Sequence, residues 1–306
     1  MNRREFLAVG TLATASLIDP ISSSPASLNG LGSFEFIFFT DTHIEPELSA
    51  ANGCAMCFKK IRSSARADFA IQGGDHVFDA SAVDRIRANC LFDLYARTEQ
   101  DLGLKVYHTI GNHDIFGVFP KSGINVGDLG YGKQMFQERI GQTYYSFNHK
   151  GYHFVVLDSF QITENRNLEA RVDAAQLAWL KKNLDSIPAG TPIVVTVHVP
   201  LLSGAVAYAF PGAGPRSQLV IANASEVISL FNGHDVLAVL QGHLHINEVD
   251  TFKGIPYVTS GAVSGNWWHG SHAGTPEGFT VVSLRNGKIS WRYETYGFKS
   301  IDPQNT

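Results

Sequence analysis

Val106-Tyr107-His108-Thr109-Ile110 runs directly into Gly111-Asn112-His113-Asp114. The first stretch is β-branched and aromatic, which suits a buried strand. The second switches abruptly to a turn-forming glycine and three side chains that can ligate a metal or move a proton. The same device recurs four times. Residues 34–40 lead into Asp41-Thr42-His43, and residues 69–72 into Gly73-Gly74-Asp75. Residues 193–197 lead into His198. Residues 236–240 lead, one residue on, into Gly242-His243-Leu244-His245. A single such cluster is an ordinary strand-end turn, rich in Asp, Asn and Gly for turn reasons. Five in one chain, each directly after an apolar run, are hard to obtain by chance.

Between these runs, residues 54–64, 80–102, 173–184 and 224–231 place apolar side chains three and four apart. That spacing is helical. Strands alternating with helices imply an α/β fold built from βαβ units, with helices outside a sheet. In such folds, ligands bind beyond the carboxyl ends of the strands. Residues 144–149, 153–158, 255–259, 279–284 and 289–293 read as further strands of a second sheet. Asn286-Gly287 marks a hairpin between the last two. Gly73, Gly74, Gly111, Gly242 and Gly261 suit tight turns and close backbone approach.

Residue type narrows the chemistry. Asp41 and Asp75 offer charged oxygen, His43, His198, His243 and His245 offer imidazole nitrogen, and Asn112 offers a carbonyl oxygen. The set contains no thiolate. It suits Zn, Fe, Mn or a similar divalent ion and does not select among them. Seven ligands are too many for one four-coordinate metal and about right for two metals sharing a carboxylate.

This order of blocks resembles the calcineurin-like metallophosphoesterases. They carry Asp-x-His, Gly-Asp, Gly-Asn-His-Asp/Glu, a lone His after a strand, and Gly-His-x-His. The resemblance spans residues 41–245. It implies two packed β-sheets flanked by helices, a four-layer α/β/β/α sandwich. It implies that Asp41, His43, Asp75 and His245 hold one metal. Asp75, Asn112, His198 and His243 would hold the other, with Asp75 bridging. The nucleophile would be a hydroxide held between the metals, and His113 would bind the phosphate or protonate the leaving group. The implied activity is phosphoester hydrolysis on a small phosphorylated substrate, with diesters slightly favoured over monoesters. One position departs from the pattern. A carboxylate or amide three residues after the bridging Asp orients the catalytic His in many members. Here that position is Phe78, with Asp79 and Asp114 as possible replacements.

Beyond the metals, Trp267-Trp268-His269-Gly270 sits in a Gly/Ser-rich stretch and resembles a Trp-Trp-x-Gly segment of some bacterial metallophosphoesterases. Trp267, Trp268 and His269 read as a wall for the non-phosphate part of a substrate, or as local packing. Residues 115–132, with Phe116, Phe119, Lys121 and Tyr131, suggest a second wall. Residues 203–216 suggest a third, where Arg216 could meet a phosphate or stay on the surface. Cys54 and Cys57 share a helical face with Ile61 and read as core rather than as a redox pair.

Met1-Asn2-Arg3-Arg4-Glu5-Phe6-Leu7, an apolar stretch to Ile18 and a Ser/Pro-rich exit resemble a twin-arginine export signal. The expectation is a signal over 1–26, a single domain over 27–306, passage through the twin-arginine machinery, and a periplasmic or extracellular location. This fits bacterial, exported members of the family. The 306 residues are 44% apolar and 17% charged, as in globular proteins. Lys plus Arg is 24 and Asp plus Glu is 28, for a net charge of −4. That argues against a strong field for nucleic acid, and hence against a nuclease. No apolar run is long enough to span a membrane. A non-catalytic scaffold on the same fold is the alternative from another class, and it would be expected to have lost ligands.

Overall fold

The computed structural model describes residues 30–304 except 65 and 210–217. The export signal expected over 1–26 lies outside the described residues. In chain order the elements are β1 (Phe34–Phe39), α1 (Ala50–Ser64), β2 (Ala67–Gln72), α2 (Arg85–Glu99), β3 (Val106–His108) and α3 (Gln134–Arg139). Next come β4 (Tyr145–His149), β5 (Tyr152–Leu157), β6 (Phe160–Ile162), β7 (Leu168–Ala170), α4 (Ala174–Ser186), β8 (Pro192–Val197), α5 (Gly204–Ala209) and α6 (Ala224–Ser229). The chain closes with β9 (Asp235–Gln241), β10 (Glu248–Phe252), β11 (Ile255–Thr259), β12 (Gly278–Arg285) and β13 (Lys288–Thr295).

Two sheets form the centre. One has the order β13-β12-β1-β2-β3 and the other β10-β11-β9-β8-β5-β4. β1, β2 and β3 run parallel, as do β5, β8, β9 and β11. Parallel strands are buried on both faces, and β1 shows how one sequence supplies both. Phe36 and Phe38 point into the core between the sheets, with Phe69, Phe154 and Leu240. Ile37 and Phe39 point the other way, into a core shared with α1 and α2. The outer face of the second sheet is covered by α4 and α6, through Leu180, Leu184 and Val227. The result is the four-layer sandwich. Asp84 and Asp173 cap α2 and α4, accepting from the N–H of Arg87 and Gln176.

The C-terminal hairpin departs from the sequence reading. Residues 279–284 and 289–293 join the first sheet, not the second, because β12 pairs antiparallel with β1. β12 is apolar on both faces: Val282 and Leu284 enter the inter-sheet core, while Phe279 and Val281 face the helices. It therefore needs a covered position beside β1, which alternation within one strand does not specify. The hairpin turn is as read, with φ of 52° at Asn286 and 73° at Gly287.

The inter-sheet core fixes how the two sets of strand ends meet. Phe36 is fully buried, stacked on Phe69 at 5.1 Å and edge-on to Phe154 at 5.5 Å. Phe36→Ala should destabilise the fold by about 3–5 kcal/mol, read as a lowered urea midpoint.

Candidate metal centre

The carboxyl ends of β1, β2, β3, β8 and β9 converge. Asp41 and His43 follow β1, and Asp75 follows β2. Asn112 and His113 occupy a 3₁₀ turn after β3, His198 follows β8, and His243 and His245 follow β9. Three overlapping groups can each hold an ion: Asp41, His43 and His245; His43, Asp75 and His113; and Asp75, His198 and His243. Asp75 Oδ2 stands 3.6 Å from His43 Nε2 and 3.1 Å from His198 Nε2. Asp41 Oδ1 lies 3.3 Å from His245 Nε2. One oxygen of Asp75 therefore faces both ends of the cluster.

Main-chain carbonyls turn the imidazoles inward. His198 Nδ1 donates to the Gly73 carbonyl at 2.8 Å and His245 Nδ1 to the Gly265 carbonyl at 2.5 Å. Each ring is thereby left with its Nε2 lone pair aimed at the centre. The loops carrying the ligands bend sharply. φ is 55° at Asp41, 38° at His43, 56° at Asp75, 70° at His243 and 57° at His245. Such positions cost roughly 1–3 kcal/mol each and persist only where surrounding bonds over-determine them. Asp114 supplies many of those bonds. Its carboxylate accepts from the N–H groups of Asp75 (3.1 Å), His76 (2.8 Å) and Gly111 (2.9 Å), and from His76 Nδ1 (2.8 Å). It ties the β2 loop to the β3 loop. Gly111 must be glycine, because a Cβ there would lie 2.1 Å from Asp75 Oδ1.

The electrostatics call for positive charge in the middle. Burial opposes ionisation of Asp41, yet His245 and His198 hold its carboxyl well below the usual range. Burial likewise opposes ionisation of Asp75, and His198 and His113 hold it low. Burial also opposes a charge on His198, but Asp75 and Asp41 raise it to about 9. Burial and then His198 push His243 down to about 4. His43 Nε2 and His245 Nε2 approach to 3.1 Å, and Asp41 Oδ1 and Asn112 Oδ1 are buried without a hydrogen-bond partner. Buried acceptors left unpaired are costly. Lone pairs from carboxylate and imidazole converging on one volume, with an unpaired amide oxygen on the adjoining β3 loop, are what a divalent cation neutralises, so the donor set fits metal.

His113 is oriented, but not by the groups anticipated. Its Nδ1 donates to the Phe78 main-chain carbonyl at 2.5 Å, and its N–H donates to Asp75 Oδ1 at 2.9 Å. The Phe78 side chain is irrelevant to that bond. Asp79 instead accepts from Ser81. The two tryptophans divide. Trp267 is half-buried, its ring 4.5 Å from His245 and 5.8 Å from His43. Trp268 is fully buried, and its indole N–H donates to the His43 carbonyl at 2.9 Å. Trp268 therefore corrects the expectation of a substrate wall, since no part of it is open to a ligand. His269 turns to the carbonyl of Asp302. Phe116 is core, and Arg216 lies outside the described residues. Cys54 and Cys57 are free, fully buried thiols in the α1 core, as read.

The carbonyl partners and the role of Asp114 in tying the two loops together are not visible in the sequence. A carbonyl has no residue signature, so Gly73, Phe78 and Gly265 were not nameable from type. Asp114 was visible in its motif, but its many bonds to neighbouring loops were not. Gly111→Ala should destabilise the protein by about 1–3 kcal/mol and abolish metal uptake, measured by thermal unfolding and metal analysis. Phe78→Ala should leave turnover close to wild type, because the orienting carbonyl stays.

Comparison with known proteins agrees with this geometry. Residues 34–247 match the calcineurin-like phosphoesterase family. A dimetal phosphatase from Danio rerio superposes with a TM-score of 0.60 at 16% identity, covering 89% of this chain and 99% of that one. GAP50, the anchor in the inner membrane complex of Plasmodium, superposes with a TM-score of 0.53 at 16% identity, covering 86% and 85%. At these identities the likeness is one of fold. A search of curated proteins finds no match. The family match over most of the chain, on the fold and residues described above, makes this protein a member of the calcineurin-like phosphoesterase family.

Proposed function

We propose that the protein hydrolyses phosphoesters with two divalent ions, Fe, Mn or Zn, at these strand ends. The observation that carries the reading is Asp75 Oδ2, placed between His43 Nε2 and His198 Nε2 within overlapping ligand groups. Asp41, His43, Asp75 and His245 would hold one ion, and Asp75, Asn112, His198 and His243 the other. When bound, such a pair lowers the pKa of a shared water and neutralises the phosphoryl oxygens. Phosphoryl transfer needs that neutralisation and in-line positioning more than covalent help. His113, with Nδ1 committed to the Phe78 carbonyl, has Nε2 left to bind the phosphate or give a proton to the leaving oxygen. Trp267, half-buried beside His43 and His245, would meet the non-phosphate part of the substrate.

Diesters are the preferred class in this reading. A diester brings one negative charge, and two described cations are already committed. Arg87 is paired with Glu47 and Glu45, and Lys133 with Asp158. The alternative is a non-catalytic scaffold, which gains weight from the anchor role named for the Plasmodium protein. Against it stands the full set of seven ligand positions, all filled here, six of them within overlapping groups. Residues 1–26 would direct export through the twin-arginine route to the periplasm or beyond, on the strength of Arg3, Arg4 and the apolar stretch after them.

The test is hydrolysis of bis-p-nitrophenyl phosphate and p-nitrophenyl phosphate by Mn-loaded protein. Faster diester cleavage is expected, and faster monoester cleavage would reverse the preference. No turnover with Mn, Zn or Fe would leave the scaffold reading. Asp75→Asn should abolish turnover. His113→Ala should keep both ions and lower kcat by roughly 10²–10⁴-fold. Replacing Arg3 and Arg4 by Lys should hold the protein in the cytoplasm on fractionation, and unchanged export would refute the route.

A further inference from the structure

The loop that carries the two tryptophans grips one half of the candidate metal centre. The Val263 N–H donates to the Thr40 carbonyl at 2.9 Å and the Ser264 N–H to the Asp41 carbonyl at 3.1 Å. The Gly265 carbonyl accepts from His245 Nδ1, and Trp268 Nε1 donates to the His43 carbonyl. Asp41, His43 and His245, the ligands that ion would not share with the other, are thus all held by residues 263–268. The other group is held mainly from elsewhere: Gly73 accepts from His198 and Asp114 from the N–H of the shared Asp75, while the His243 N–H donates to Asp41 Oδ2 at 3.0 Å.

That loop is strained. Trp267 and Trp268 are consecutive non-glycine residues with φ of 45° and 72°. Such a pair needs outside support. Part comes from α1, where Gly53 leaves room for the indole: a Cβ there would lie 2.1 Å from Trp268. The rest comes from the chain after β13. The Tyr296 hydroxyl donates to the Val263 carbonyl at 2.5 Å and the Ser300 hydroxyl to the Trp268 carbonyl at 2.7 Å. The Gln304 N–H donates to the His269 carbonyl at 2.8 Å. The Phe298 ring sits edge-on to Trp268, 5.1 Å between centroids at 76°. This tail falls outside residues 34–247, the part that matches the family.

We infer that residues 296–304 form a strap that positions the Asp41, His43 and His245 half of the centre through Trp268. Phe298 and Ser300 are positioning residues. The inference rests on the two-ion reading above. It requires an asymmetry: loosening the strap weakens one ion and spares the other. Loss of a partner that orients ligands lowers metal affinity by roughly 10–100-fold.

The experiment is calorimetric titration of Mn²⁺ into chelator-stripped full-length protein. Wild type should bind in two steps. Phe298→Ala and Ser300→Ala should each weaken one step by about 10-fold or more and leave the other unchanged. Ser300→Thr, which keeps a hydroxyl, should restore it. Thermal midpoints of the stripped proteins guard against unfolding, and Ser300→Ala removes only one oxygen. Two steps that weaken together, or that do not change, in folded variants overturn the strap alone. Wild type that binds no Mn²⁺ overturns the two-ion reading and the strap with it.

Discussion

The Asp75 carboxylate is the constraint on which the rest depends. It is 2% exposed, and one of its oxygens faces imidazole nitrogens at 3.6 and 3.1 Å. A buried carboxylate among lone pairs is stable only with positive charge beside it. The fold brings five strand ends together, from two sheets, so that this charge can be held. The backbone is bent into left-handed geometry at most of the ligand positions to do so. Asp114 below and the tryptophan loop beside the centre keep those bends in place.

The layered core supplies the rigidity. Phenylalanines on β1 and β2 lock one sheet against the other, while α1 and α2 close the outer face. Because the sheets cannot slide without breaking these contacts, His198 and His243 from one sheet stay in register with Asp41 and Asp75 from the other. The precision that a metal centre needs is thus a consequence of aromatic packing some distance away.

Much of the arrangement was legible in the chain. Apolar runs ending in Asp, His or Gly-Asn-His-Asp state both the strands and the rim they supply. The residue types state metal chemistry. What was not legible depends on partners distant in sequence. The assignment of β12 and β13 to the first sheet follows from two-sided burial beside β1. The tandem tryptophans look alike in sequence. They separate only in three dimensions, because Gly53 on α1 admits one and the turn leaves the other half-open. The orientation of His113 rests on a main-chain carbonyl, which Phe78 provides as well as any residue would.

The central claim is that Asp75 is shared by two ions. Anomalous diffraction from crystals of Mn-loaded protein tests it most directly. The account predicts two peaks, one on the His43 side of Asp75 Oδ2 and one on the His198 side. A single peak, or peaks that leave Asp75 without an ion, would contradict it.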